Sequence, residues 1–250
     1  MAYDEKREMP RVAYKAPPPL TSRLISALGR SCRSLWAIPG ERRAGLVRIR
    51  PCYHVDSLSL GERPMVVDLG PGCDANFSKE MMERFGAQCF AFEPTKKHHP
   101  ALRALEQASA GKFRLVRKAA AGECGRRTFY EERRQESGSL IEAHSNVGSG
   151  ALRYEVDVLD LKGIFEICEA REINVLKIDI EGAEYDFLLK APSELLWRIR
   201  QILVEFHHHC VADVSEADNE RVIEHLAQLN FLHHSIDGVN YIFFRRLWAC

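Results

Sequence analysis

Much of what this sequence says comes from what it does not contain. Lys and Arg number 35 and Asp and Glu number 35, so no net field gathers nucleic acid or an acidic membrane, and no nucleic-acid partner is expected. No stretch approaches the ~20 apolar residues that cross a bilayer, and the first residues lack the apolar core of a secretory signal. Asp4, Glu5 and Glu8 interrupt the basic residues on which a mitochondrial presequence depends, so the expectation is a cytoplasmic location without a membrane span. Cysteines stand at Cys32, Cys52, Cys73, Cys89, Cys124, Cys168, Cys210 and Cys250 with no CxxC pair among them, which argues against a disulfide scaffold or a cysteine-rich metal centre. Cys89 and Cys168 sit among apolar neighbours, where a thiol packs as a small hydrophobe. There is no internal repeat.

What is present divides in two. Residues 1–55 read as an N-terminal extension. Its first twenty residues mix charges with Pro17-Pro18-Pro19 and have no apolar period, as in a disordered or extended arm. Leu24, Ile25, Leu28, Cys32 and Leu35 then share one helical face ringed by Arg23, Arg30 and Arg33. This basic amphipathic helix is either a lid or docking element or simply packs on the outside of the main domain.

Residues 56–250 read as that domain. From Met65 short apolar runs alternate with amphipathic stretches, the pattern of parallel strands joined by crossover helices. Met65-Val66-Val67, Cys89 to Phe92, Phe113 to Val116, Val175-Leu176-Lys177-Ile178 and Ile202 to Phe206 are the expected strands. Phe77, Met81, Met82 and Phe85 share a helical face that Gly86 ends, and Val222, Ile223, Leu226 and Leu229 form another behind a Ser215–Asp218 capping box. Residues 122–153 break this rhythm as a long polar segment of the kind that covers a pocket, with a short strand expected at Thr128-Phe129-Tyr130. Phe231 to Ser235 and Asn240 to Phe244 flank Asp237-Gly238, a hairpin signal. The fold class is therefore α/β: a doubly wound, mostly parallel, Rossmann-like sheet with a C-terminal antiparallel hairpin.

In such a sheet ligands bind beyond the carboxyl ends of the strands, where the order reverses. The first strand ends in Asp68-Leu69-Gly70-Pro71-Gly72-Cys73-Asp74-Ala75. Gly70 and Gly72 let the backbone bend and approach a ligand without a Cβ in the way, and Asp74 or Asn76 can cap the helix beyond the turn. The turn satisfies the dinucleotide fingerprint, but Asp68 and Asp74 oppose that reading. Two like charges at ~4 Å cost on the order of 4 kcal/mol at an effective dielectric of about 20, and a pyrophosphate would add two more. A ligand carrying an ammonium and a sulfonium suits the turn better. Glu93, at the end of the second strand, stands where an acidic side chain takes both hydroxyls of a ribose.

These residues, together with two later stretches of the chain, resemble the FkbM-type methyltransferase family. The resemblance is carried by Val66-Val67-Asp68-Leu69-Gly70-Pro71-Gly72, Ala91-Phe92-Glu93-Pro94, Leu176-Lys177-Ile178-Asp179-Ile180-Glu181-Gly182-Ala183-Glu184 and Leu203-Val204-Glu205-Phe206-His207. It implies the class I methyltransferase fold, S-adenosyl-L-methionine as cofactor, and transfer of a methyl group to a hydroxyl of a small molecule or carbohydrate. It also implies that Asp68, Gly70, Gly72, Asp74, Asn76, Glu93, Pro94 and Asp179 serve the cofactor. Ser139, in Ser137-Gly138-Ser139-Leu140, is similar to a serine-containing loop of the family that touches cofactor or substrate. Asp179 and Glu181 look like site carboxylates. Cys73-Asp74 departs from the Ala-Asn or Ala-Asp common among relatives, and residues 1–55 match nothing in the family.

His207 comes just after a strand end and offers a general base, since imidazole changes charge near neutral pH. No metal is expected: successive residues point to opposite faces, so His207-His208-His209 does not converge on one ion. Lys177 and Glu205 fall inside strands and are expected to pair, because a lone buried charge is costly. His98-His99 is read as solvated. Two other readings stay open, a binding protein that keeps the fold without turnover and a nucleotide-dependent oxidoreductase.

Overall fold

The computed structural model describes residues 45–133, 137–148, 150–235 and 237–245. The arm and the basic helix expected before residue 44 lie outside them. The described chain opens with an antiparallel hairpin, β1 (Leu46–Ile49) and β2 (Tyr53–Asp56). It continues through β3 (Met65–Leu69), α1 (Asn76–Phe85), β4 (Gln88–Phe92), α2 (His99–Ala108) and β5 (Phe113–Val116). Next come four strands of a second sheet, β6 (Ala119–Ala120), β7 (Gly125–Glu131), β8 (Gly138–Ser139) and β9 (Leu152–Leu159). The chain then returns to the first sheet with α3 (Leu161–Cys168), β10 (Ile173–Ile178), α4 (Glu184–Lys190), α5 (Ser193–Leu196) and β11 (Ile199–Glu205). It ends with α6 (Glu216–Gln228), β12 (Phe231–Ser235) and β13 (Asn240–Arg245).

The main sheet has seven strands in the order β12-β13-β11-β10-β3-β4-β5. β3, β4, β5, β10 and β11 are mutually parallel, and β13 runs antiparallel to both neighbours. The chain winds outward from β3 to β5 and then crosses back to β10, so the strand order reverses between β3 and β10. The glycine turn leaves β3 at that place.

Local sequence explains the elements. α1 buries Phe77 and Met81 and stops at Gly86, whose φ of 63° suits a residue without Cβ. Asp160 caps α3 by accepting from the Gly163 N–H, and Ser215 and Asp218 form the capping box of α6. Alternation in the strands sorts the core into two faces. Val67, Leu69, Leu176, Ile178, Ile202 and Val204 face one hydrophobic cluster; Val66, Val175 and Leu203 face the other, with Ile49, Tyr53, Val55, Phe77 and Met81. The hairpin β1–β2 belongs to that second cluster. The division expected at residue 55 assigned it to the extension, whereas its buried side chains pack on the main sheet.

The segment read as a long loop is more regular than its polar sequence suggests. β7 and β9 pair along their length, and β6, β8 and β9 complete a small four-stranded sheet around Phe129, Val156 and Val158. A small sheet with one buried face needs few apolar residues, which is why its alternation is faint.

Candidate functional site

A cavity of about 320 Å³ opens at the carboxyl ends of β3, β4 and β10. Its floor is the glycine turn. Gly70 has φ +75° and lies so close to β10 that a Cβ there would stand 1.8 Å from the Asp179 carbonyl oxygen. Gly72 has φ +69° and open space around it. Gly70, Pro71, Gly72, Asp74 and Asn76 all line the cavity. The helix start is tied by Asp74, whose Oδ1 accepts from the Asn76 N–H at 3.1 Å.

Asp68 is placed beneath this turn. It is fully buried, accepts from Ser78 Oγ at 2.6 Å, and lies 3.3 Å from Lys177 Nζ. Burial pushes its carboxyl above the usual range, with Lys177 and Ser78 pulling against it. Lys177 stands directly opposite Asp68 in the β10–β3 ladder, so this lysine pairs with Asp68 and with Asp179 at 3.2 Å, not with Glu205. Its Nζ also donates to the Gly70 carbonyl at 2.6 Å. Burial lowers the lysine pKa, but Asp179 and Asp68 outweigh it and the group is held charged. The expectation of two unneutralised carboxylates at the turn thus changes: Asp68 is matched by a cation, and Asp74 alone presents its charge at the rim.

Glu93 and Pro94 line one end of the cavity. Glu93 is 3% exposed; its Oε1 accepts from the Thr95 N–H at 2.8 Å and its Oε2 lies 3.5 Å from His98 Nδ1. Burial raises its pKa, yet His98 and Thr95 bring it below the ordinary carboxylate value. His98 and His99, read as solvated, are both buried, and His99 Nε2 lies 2.9 Å from the Glu93 carbonyl. They fix the strand end that carries Glu93.

The opposite wall is crowded with charge. Asp179, Glu181, Lys177, Glu205 and Tyr53 line it. The Tyr53 hydroxyl lies 3.0 Å from both Asp179 Oδ2 and Glu205 Oε2. A hydroxyl has one hydrogen to give, so this contact favours a proton on one carboxyl, and Glu205 is the one pushed up, by burial and then by Asp179. Asp179 is held below the usual range: burial opposes this, and Lys177 and His207 outweigh it. His207 is buried behind the wall. Its N–H and Nδ1 face Glu184 Oε1 at 2.8 and 3.2 Å, and its Nε2 is 3.6 Å from Asp179 Oδ1 and from Glu181 Oε2. Burial lowers its pKa, but Glu184, Asp179 and Glu181 push it up to about 10. Ser139, also buried, donates to the Glu181 carbonyl at 2.7 Å while Ser137, Gly138 and Leu140 reach the cavity.

Sequence reasoning missed Tyr53, Glu184, Thr95, His98 and His144. The alternation Val47, Ile49 and Tyr53, Val55 on either side of Pro51-Cys52 carried a hairpin signal for Tyr53. A second, more open groove of about 770 Å³, lined by Lys96, Arg103, Arg117, Lys118 and Arg126, shares Pro94 with the first. It is larger, but the glycine turn and the site carboxylates belong to the smaller cavity.

The sequence profile of the methyltransferase FkbM domain matches residues 73–232, beginning one residue past Gly72. No curated protein matches the chain. Among solved structures, the fibrillarin pre-rRNA processing protein of Methanococcus jannaschii is 9% identical with a TM-score of 0.44, over 74% of this chain and 67% of that one. The N-terminal domain of human METTL16, solved in complex with SAH, is 10% identical with a TM-score of 0.42, over 72% and 60%. TrmK of M. capricolum, also solved with S-adenosyl-homocysteine, is 12% identical with a TM-score of 0.32, over 72% and 60%. The chain therefore spans less than two thirds of the last two. Among the described residues no helix is long and apolar enough to cross a membrane.

Proposed function

Because this chain belongs to the methyltransferase FkbM domain family and is an S-adenosylmethionine-dependent methyltransferase, we propose that its cavity holds the cofactor along the glycine turn and methylates a hydroxyl at the Asp179 end. The residues present fit that cofactor. Carboxylates dominate both ends of the cavity, and its floor is a backbone turn in which Gly70 has no room for a side chain. Glu93 is proposed to take the ribose hydroxyls, with Pro94 beside it, while Gly70, Gly72, Asp74 and Asn76 line the middle and Asp179 meets the positively charged methionine end. Asp68 and Ser139 serve from behind, Asp68 by fixing the turn through Lys177 and Ser139 by holding the Glu181 carbonyl.

When bound, S-adenosylmethionine supplies a methyl group already activated on a sulfonium. The chain has to align a nucleophile at ~3 to 3.5 Å and accept its proton. Asp179, Glu181 and His207 are the proposed catalytic group. With its pKa pushed up to about 10, His207 in the protein alone is an imidazolium, so the carboxylates accept the proton and His207 orients them. The acceptor is proposed to be a hydroxyl of a small molecule or carbohydrate. Carboxylates are acceptors for hydroxyls, and Asp179, Glu181 and Glu205 line that end of the cavity.

The observation that carries this reading is the convergence of Glu93, the glycine turn and Asp179 on one cavity. It is tested by thermal melts with S-adenosylhomocysteine and with a nicotinamide dinucleotide. S-adenosylhomocysteine at 100 times its Kd should stabilise the wild type by about 2.7 kcal/mol, the dinucleotide should not, and Glu93→Ala should lose most of the shift. A Glu93→Ala protein stabilised as fully as the wild type removes the ribose assignment, and a shift with the dinucleotide alone removes the cofactor assignment.

A further inference from the structure

We propose that Asp179, Glu181 and His207 form a divalent-cation site at the acceptor end of the cavity, where the bound ion takes the acceptor oxygen as a further ligand. The proposal rests on the reading of the chain as a hydroxyl methyltransferase and says how the same three residues handle the hydroxyl.

One ligand atom from each of the three residues lies within 4.8 Å of the others. His207 Nε2 is 3.6 Å from Asp179 Oδ1 and 3.6 Å from Glu181 Oε2. Ligands at ~2.0 to 2.2 Å from an ion sit ~3 to 3.5 Å apart on adjacent corners, so His207 Nε2 stands within a few tenths of an ångström of that spacing to each carboxylate. The orientation of each group agrees. Asp179 spends Oδ2 on Tyr53 and Lys177 and turns Oδ1 to His207. His207 Nδ1 faces the fully buried Glu184 carboxylate, which also accepts from the Gly182 N–H at 2.9 Å. A carboxylate behind a histidine fixes its tautomer and aims the other nitrogen at a metal. That nitrogen, on a side chain only 6% exposed, faces both site carboxylates from just beyond hydrogen-bond reach.

Glu181 is aimed by its backbone, which is held at φ +53°, a conformation that costs a non-glycine residue energy. Next to it Gly182 is at φ +100° with Val211 and Ile141 closing on the place of a Cβ. The chain is thus held in a shape that points a carboxylate oxygen at His207 from 3.6 Å. His144 stands 3.0 Å from that oxygen. Its Nδ1 accepts from the Asn146 N–H at 3.2 Å, so Nε2 carries the hydrogen and His144 positions Glu181 without being a ligand. One imidazole and two carboxylates leave coordination positions open, as a Lewis-acid site requires, and suit Mn²⁺-like ions.

The test uses the full chain, stripped with a chelator, dialysed, and titrated with Mn²⁺ while the free-ion EPR signal is read. The wild type should bind one Mn²⁺ per chain and show imidazole nitrogen coupling in pulsed EPR. Glu181→Gln should weaken Mn²⁺ about 10- to 100-fold or more yet keep its melting shift with S-adenosylhomocysteine, and Glu93→Ala should show the reverse. No stoichiometric Mn²⁺ on the wild type, no nitrogen coupling, or unchanged affinity in Glu181→Gln overturns the site and leaves an internal charge cluster. If Glu181→Gln does not fold, the wild-type nitrogen signature decides. Mn²⁺ bound with no S-adenosylhomocysteine shift would overturn the cofactor reading and not the ion site.

Discussion

The two ends of the cavity are built in opposite ways. The Glu93 end is built mainly from the glycine turn after β3 and the Glu93–His98 segment after β4, and Glu93 is held by its own near neighbours Thr95 and His98. The Asp179 end is assembled from remote segments: Tyr53 from the hairpin, Asp179 and Glu181 after β10, Glu205 and His207 at the end of β11, and Ser139 from the second sheet. Each charge there is shared between two or more partners. Local sequence is enough to shape the first end, whereas the second exists only when the whole domain has closed. Substitutions should therefore act at the first end mainly on ligand affinity, and at the second on stability and the ligand site together.

Lys177→Met should break that contrast most strongly, because Lys177 joins the turn to the Asp179 wall. Removing it strands Asp68, which is fully buried, and deprives Asp179 of a cation at 3.2 Å. Taking one partner from a buried ion pair costs about 3 to 5 kcal/mol. Urea unfolding should show a loss of that size together with loss of the S-adenosylhomocysteine shift. A stable variant that still binds would mean that the lysine holds neither end.

The same contrast governs what could be read in advance. The strands and helices that bury one strong apolar face, such as β3, β10, α1 and α6, declared themselves through period and caps, and with them the turn and Glu93. The Asp179 wall was harder. Lys177 and Glu205 do lie on one face of the sheet, but register decides partners, and the residue opposite Lys177 is Asp68. Asp68 was expected at the ligand because it stands just before the first glycine of the turn and the family resemblance implies it, yet Ser78 on α1 covers it. The roles of Glu184 and His144 gave no local signal, since the site groups they hold, His207 and Glu181, are distant from them in sequence. The family resemblance pointed to Asp179 and Glu181, while burial and the Glu184 contact decide the state of His207.

Tyr53→Phe sharpens the comparison with a smaller effect. The ring packs edge-on to Phe77 with centroids 5.5 Å apart, and phenylalanine keeps that contact. What is lost is the hydroxyl between Asp179 and Glu205, a change worth about 1 to 3 kcal/mol where buried polar groups lose a partner. Unfolding and the melting shift with S-adenosylhomocysteine should both fall. If only ligand affinity changes, the Asp179 end behaves like the Glu93 end and the contrast between them fails.

The smallest expected effect lies farthest from the chemistry, at the clamp that holds the hairpin bearing Tyr53. Glu80 on α1 accepts from the Arg50 N–H at 2.9 Å and from its Nε at 3.1 Å, and from Arg84 at 2.6 Å; Arg84 in turn donates to the Arg48 carbonyl at 2.8 Å. The Arg50 backbone hydrogen bond, then Arg84, bring the Glu80 pKa down to about 2. Because the folded value lies below the unfolded one, near 4.5, the clamp contributes its full stability above about pH 4.5 and loses it as pH falls toward 2. Partly exposed pairs of this kind contribute about 1 kcal/mol or less. Glu80→Gln should therefore be less stable than the wild type by that small amount at neutral pH, with the gap closing between pH 4.5 and 2 in parallel urea titrations. A gap independent of pH would mean that the glutamate acts by shape alone, and that the hairpin reaches the Asp179 wall without help from its charge.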